Sequence, residues 1–243
     1  MNISKNIDYT LLESTATERD IIQLCENAIT HNYHSVCINN CYVALAKQIL
    51  NHSSVKISTV IGFPLGGIST KAKVYEAKQA IADGADEIGM VINLGYLKSK
   101  NYVSVLKDIS DVKFAIGNIA LKVIIEISEL NKNEIIKTCG ICLDANADYI
   151  ETSSGFSKNG ATLTAVKIIK KTIKNFAKIK ATGTIEDYDT ALKYIEAGAD
   201  IIGTRTLINP SINALLARNS EIYKHYIENA ETTEIDIANK AHS

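Results

Sequence analysis

Short β-branched apolar runs alternate along most of the chain with stretches in which apolar and charged residues recur at three- and four-residue steps. Eight runs have strand character: 6–12, 35–39, 55–63, 86–93, 120–127, 148–154, 177–183 and 200–205. Helical periodicity fills most of the intervals, as in 71–81 and 162–176. Strands alternating with helices imply parallel pairing through right-handed crossovers. Eight such units, 20–35 residues apart, predict a closed (β/α)8 TIM barrel. An open doubly wound sheet would usually carry a G-x-G-x-x-G turn after its first strand, and the chain has none.

A repeated phrase supports this reading. Ala82-Asp83-Gly84-Ala85-Asp86-Glu87-Ile88 is echoed by Ala145-Asn146-Ala147-Asp148-Tyr149-Ile150 and by Ala197-Gly198-Ala199-Asp200-Ile201-Ile202. Each reads as a helix end passing straight into a strand. Gly84, Asn146 and Gly198 then fall where a left-handed residue closes the helix. Two prolines and no low-complexity linker predict one domain over residues 1–243, with a more polar tail from about 219.

Composition narrows the function classes. Charged residues make up 22% of the chain and net charge is −1, with the signs mixed, so nucleic acid and anionic membrane surfaces are not expected partners. No apolar run reaches the length of a membrane span. Met1-Asn2-Ile3-Ser4-Lys5 lacks the apolar core of a signal peptide, so a cytoplasmic location is expected. Five cysteines, an odd count, argue against a disulfide framework. Cys139-Gly140-Ile141-Cys142 has redox or zinc spacing, but the five histidines are remote and unpatterned, so the pair reads as helix packing and no metal is expected.

In a (β/α)8 barrel the active site forms at the C-terminal ends of the strands, and alternate residues of each strand face inward. Charged residues on otherwise apolar strands are therefore informative. Lys122 and Glu126 fall on one face of the fifth strand, Glu151 on the sixth and Lys180 on the seventh. Asp8 lies on the first, and Arg205 ends the eighth. Buried charge is costly unless paired, and such groups gather at functional sites. The plainer alternative is that Glu151 and Lys180, on neighbouring strands, form a structural ion pair closing the barrel, but several inward ionisable residues are more than packing requires.

At these positions the chain resembles the deoxyribose-phosphate aldolase family. Ile7-Asp8-Tyr9-Thr10-Leu11-Leu12 is similar to the family's opening I-D-H-T-L-L, and Val36-Cys37-Ile38-Asn39 to its V-C-V-N strand. Thr70, Lys73, Glu76 and Ala77 keep its T-x-x-K-x-x-E-A spacing. Lys122-Val123-Ile124-Ile125-Glu126, Thr152-Ser153-Ser154-Gly155-Phe156 and Lys180-Ala181-Thr182-Gly183 follow in order. The resemblance runs from Ile7 to about Thr206. It implies a barrel that cleaves 2-deoxyribose 5-phosphate through a lysine imine, without metal or organic cofactor.

The same resemblance puts Glu151 where the family carries that lysine, and Gly89 where it carries a proton-transferring aspartate. Lys180, Lys122 and Asp8 match the family pattern, and the four residues Glu151, Lys180, Lys122 and Asp8 are the catalytic candidates. Around the phosphate end, Gly155, Gly183, Thr184, Gly203, Thr204 and Arg205 are candidates for holding substrate or an anion. Thr184 replaces a glycine of the family pattern there, Arg205 replaces a serine, and Thr184-Ile185-Glu186-Asp187 also reads as a capping box. Glutamate cannot form an imine. Three functions follow: acid–base chemistry by Glu151 and Lys180 on a small carbonyl or sugar-derived compound; an imine relocated to Lys180 or Lys122; or a non-catalytic homologue that binds a metabolite or protein. A small-molecule substrate is expected, with no cofactor, and a homo-oligomer is admitted.

Overall fold

Eight parallel strands pair in sequence order and close on themselves, with the last strand against the first. A computed structural model describes residues 1–208, and the tail expected from about 219 lies outside them. The strands are β1 (Ile7–Leu11), β2 (Ser35–Ile38), β3 (Lys56–Ile61), β4 (Glu87–Val91), β5 (Ala120–Ile124), β6 (Tyr149–Glu151), β7 (Lys178–Thr182) and β8 (Ile201–Thr204). Closure is set by the register Asp8↔Gly203 and Tyr9↔Thr204. The helices are α1 (Glu18–Thr30), α2 (Val43–Leu50), α3 (Thr70–Asp83), α4 (Leu94–Lys98), α5 (Tyr102–Ile116), α6 (Lys132–Asp144), α7 (Leu163–Ile173) and α8 (Tyr188–Glu196). The (β/α)8 expectation holds.

The repeated phrase has a physical reason. Gly84, Asn146 and Gly198 all adopt positive φ at helix ends, as expected. The aspartate two residues later turns back to the start of the preceding strand. Asp86, Asp148 and Asp200 accept the backbone N–H of Ile57, Leu121 and Ile179 at 2.9, 2.8 and 2.8 Å. Each carboxylate thus satisfies a donor that no ladder reaches at the bottom of the barrel.

Two layers of apolar side chains surround this frame. Outward-facing Val36, Ile57, Ile88, Met90, Val123, Ile150, Ile179 and Ile202 are buried beneath the helices. Burying each is worth about 1.5–3 kcal/mol. Inside the barrel, Leu12, Cys37, Val60, Val91 and Ile124 form an upper apolar layer, with Phe63 packed on it. The Thr70/Lys73/Glu76 spacing clamps the turn from β3 to α3. Lys73 is fully buried, pairs with Asp108 at 2.6 Å and donates to the Val91 carbonyl at 2.9 Å. Glu76 accepts from the Gly62 N–H at 2.8 Å.

Three local expectations are corrected. The strands stop short of the runs read from the sequence: β6 has 3 residues, and the Thr152, Ser153 and Ser154 that follow it are buried beyond the strand. Glu126 does not share the inner face of β5: its φ of 54° turns the chain out of extended geometry, and its carboxylate accepts the Ser154 N–H. Thr184 caps no helix. It sits at φ 58°, whereas an N-cap needs extended backbone, and its hydroxyl donates to the Gly183 carbonyl. Asp187 caps α8 instead, accepting from the Thr190 N–H at 2.8 Å. Cys139 and Cys142 are free and buried in α6, as the packing reading requires, and burial pushes the Cys139 thiol up to about 12.

Candidate active site

The four catalytic candidates meet inside the barrel. Lys180 Nζ lies 2.9 Å from Glu151 Oε1 and 2.7 Å from Asp8 Oδ2. Lys122 Nζ lies 3.1 Å from the same Asp8 oxygen, so one carboxylate oxygen bridges two ammoniums. The pairing follows from register: Glu151 is aligned with Lys180 across β6 and β7, and Asp8 closes the barrel from β1.

One member of the cluster escaped the sequence reading. Glu87, fully buried on β4, lies 2.6 Å from Lys122 through Oε2, in an ion contact that is off the hydrogen-bond direction. Its Oε1 meets Lys56 at 2.9 Å and the His34 ring at 3.2 Å. In sequence Glu87 follows Asp86 at the start of a strand and looks like a solvated end. The inward parity shared with Gly89 and Val91 was the available signal. A ladder of alternating charge thus runs up the barrel axis: Lys56, Glu87, Lys122, Asp8, Lys180, Glu151.

These contacts set the protonation states. Burial favours the neutral amine of Lys180, but Asp8 and Glu151 outweigh it and hold the ammonium well above the ordinary lysine range. Burial opposes charge on Lys122 likewise, and Asp8 with Glu87 overcomes it. Asp8 is held far below the usual carboxylate range: burial works against ionisation, and Lys122 and Lys180 win. Glu87 is held low in the same way, chiefly by Lys122 against burial. The Cys37 thiol beside them is pushed up to about 12 by burial.

Above the ladder the barrel opens into a cavity lined by all six expected binding residues, Gly155, Gly183, Thr184, Gly203, Thr204 and Arg205. Thr10, Leu12, Glu13, Ser154, Thr182 and Glu186 complete much of its wall. Thr182 links the two levels, since its hydroxyl donates to Glu151 Oε1 at 3.0 Å. Gly183 is packed so tightly on Gly160 that a Cβ on it would lie 2.7 Å from the Gly160 Cα. Arg205 lines the cavity, but its guanidinium is turned to Glu13 at 2.7 Å, and the side chain is 64% exposed.

Buried lysines and carboxylates beneath an open mouth define a barrel whose ionisable groups lie where enzymes of this architecture do chemistry. Residues 3–209 match the model of the DeoC/LacD family of aldolases, and the chain belongs to that family. It is 49% identical over 203 residues to a deoxyribose-phosphate aldolase of Finegoldia magna, covering 84% of this chain and 95% of that one. Among solved structures, QR15, an aldolase, is 40% identical with a TM-score of 0.82, covering 84% of this chain and 92% of its own. A deoxyribose phosphate aldolase from Aeropyrum pernix, described as a tetramer, is 30% identical with a TM-score of 0.78 and covers 84% of this chain and 86% of its own.

Proposed function

We propose that this chain is a deoxyribose-phosphate aldolase-like enzyme that works without an imine, by acid–base chemistry on a small carbonyl or sugar-derived compound. The observation that carries the reading is the 2.9 Å contact between Glu151 and Lys180, directly beneath the mouth. Glu151 takes a proton from carbon next to the substrate carbonyl, and the Lys180 ammonium stabilises the negative charge that develops on the carbonyl oxygen. Thr182 orients the carboxylate, while Asp8 keeps Lys180 charged and in place and Lys122 holds Asp8 ionised from its other side. Aldol-type, isomerisation and cyclisation reactions all share this first step.

The relocated-imine reading fares worse because both buried lysines are held as ammonium, and a protonated amine is no nucleophile. The experiment is deuterium exchange at carbon next to the carbonyl, followed by NMR over a panel of small aldehydes, ketones and sugars. Wild-type protein should exchange at least one of them, and Glu151→Gln should be slower by roughly 10²–10⁴-fold, the usual worth of an acid–base group. Cleavage of 2-deoxyribose 5-phosphate should stay at background. Acetaldehyde release that disappears in Lys180→Ala would overturn the reading in favour of a relocated imine.

A further inference from the structure

One buried acid stands outside the ladder. Six non-glycine residues among those described have positive φ, and Glu126 alone of them is buried; the other five, Asn32 and Lys100 among them, are exposed. Its φ of 54° and ψ of 66° fall directly after β5, at the end of the barrel where the cavity opens. Two backbone bonds to the neighbouring segment fix it there. The Ile125 N–H donates to the Glu151 carbonyl at 3.0 Å, and the Ile127 N–H to the Thr152 carbonyl at 2.9 Å. Lys158 pairs with Glu129 and Lys180 with Asp8 and Glu151, and among the described residues no ion pair includes Glu126. Burial, with the like charge of Glu151 adding to it, pushes the Glu126 carboxyl above the ordinary carboxylate range, against hydrogen bonds from Ser154 and Ser157. Left-handed backbone and an uncompensated buried acid are both unfavourable, and such features persist where the surroundings over-determine them, typically around functional sites.

The turn has a definite effect. Extended backbone would carry residue 126 along the inner face already used by Lys122 and Ile124. Left-handed backbone delivers its carboxylate to the Ser154 N–H instead. The residues that follow extend the contact. The Ser157 hydroxyl donates to Glu129 at 3.1 Å and meets the Ser128 hydroxyl at 2.9 Å, and Lys158 reaches Glu129 at 3.4 Å. Of these contacts only the Glu126 bond is buried. Residues 126–129 thus form a dock for residues 154–158, and residues 154–160 make one wall of the cavity. Elsewhere that wall is held by packing alone, with the Phe156 ring edge-on to Phe63 at 5.2 Å and Gly160 against Gly183.

We propose that Glu126 is a positioning residue of the site, whose carboxylate holds the wall formed by residues 154–160 in the shape that receives a ligand. This rests on the reading of the mouth as the place where a substrate meets Glu151. Glu126 itself does not line the cavity and acts through Ser154, which does. A charge-assisted bond to a backbone N–H is roughly twice as strong as a neutral one, and in a sheltered site it fixes the donor's direction as well. The buried acid is therefore retained for the order it imposes on the wall rather than for the stability of the barrel.

The test uses the full chain with 2-deoxyribose 5-phosphate as the probe, a compound that a site without an imine lysine leaves uncleaved. Titration followed by NMR should show saturable binding to wild type. Glu126→Gln keeps the shape and an acceptor oxygen but removes the charge, and should weaken the probe about tenfold. Hydrogen exchange at the Ser154 amide should quicken by a similar factor, while amides of β1 and β4 keep their rates. The thermal midpoint of Glu126→Gln should be no lower than that of wild type, because the change also removes a buried charge near Glu151. A merely structural carboxyl predicts the reverse, a lower midpoint with the probe's affinity intact. Glu126→Asn tolerates the left-handed backbone but is too short to reach Ser154, and should weaken the probe at least as much. Unchanged affinity in both variants, a Ser154 amide no faster in Glu126→Gln, or no saturable binding of the probe to wild type would each overturn the proposal. Proton exchange dependent on Glu151 with unchanged affinity in Glu126→Gln would defeat this inference alone. Weakened binding in Glu126→Gln without such exchange in any compound of the panel would defeat the acid–base reading alone.

Discussion

At the residue scale the decisive comparison is between Lys180 and its neighbours. A lone lysine buried this deeply would shed its proton; two carboxylates within 3 Å reverse the outcome. Removing one should therefore move Lys180 back toward the neutral amine. After incubation with an aldehyde and borohydride, mass spectrometry with peptide mapping should show more label on Lys180 in Glu151→Gln than in wild type. Equal labelling would mean that the pair is not electrostatically coupled. The inward position of these residues was readable in sequence because each interrupts an apolar strand with a charge. Glu87 was not, because a charge at the edge of a run gives no contrast with the polar turn before it.

At the scale of the element, boundaries were harder to read than identities. All eight strands were visible as apolar runs, yet their ends were not: after β6 the buried Thr152, Ser153 and Ser154 continue the run without joining the strand. Caps read well where the backbone is extended and poorly where it is left-handed. Asn131 closes a genuine capping box on α6, its side chain accepting from the Glu134 N–H at 3.0 Å while Glu134 accepts from the Asn131 N–H at 2.8 Å. Thr184 has a similar pattern in sequence, but its φ of 58° is not that of an N-cap. Asn131→Ala should cost about 1 kcal/mol in urea unfolding with an unchanged denaturant slope. Thr184→Ala should cost less than half of that, because it removes no cap.

At the scale of the whole molecule the ladder ties opposite walls of the barrel together. Lys122 on β5 reaches Asp8 on β1, across the interior rather than around it. Lys122→Met takes a shared ammonium from two buried carboxylates, leaving Asp8 with Lys180 alone and Glu87 with Lys56 and the His34 ring, and should cost about 3 kcal/mol. The pH dependence has a definite sign. Asp8 and Glu87 have folded values depressed below the ordinary carboxylate range, so their stabilisation is present above about pH 4 and is lost as the pH falls below it. The thermal midpoint of wild type should drop on acidification through that window. In Lys122→Met the drop should be shallower, since the carboxyls have already lost their main partner.

The glycines that close α3 and α8 carry one more consequence. A Cβ on Gly84 would lie 2.7 Å from the Lys47 Cγ, and a Cβ on Gly198 would lie 2.9 Å from the Lys170 Cγ. Lys47 belongs to α2 and Lys170 to α7, so in both places the methylene stem of one helix rests across the cap of the next. The spacing between consecutive β/α units is thereby gauged by the thickness of a hydrocarbon chain. A larger cap residue would act as a wedge, prying neighbouring helices apart and opening the seam on the outer wall, far from the mouth and its chemistry.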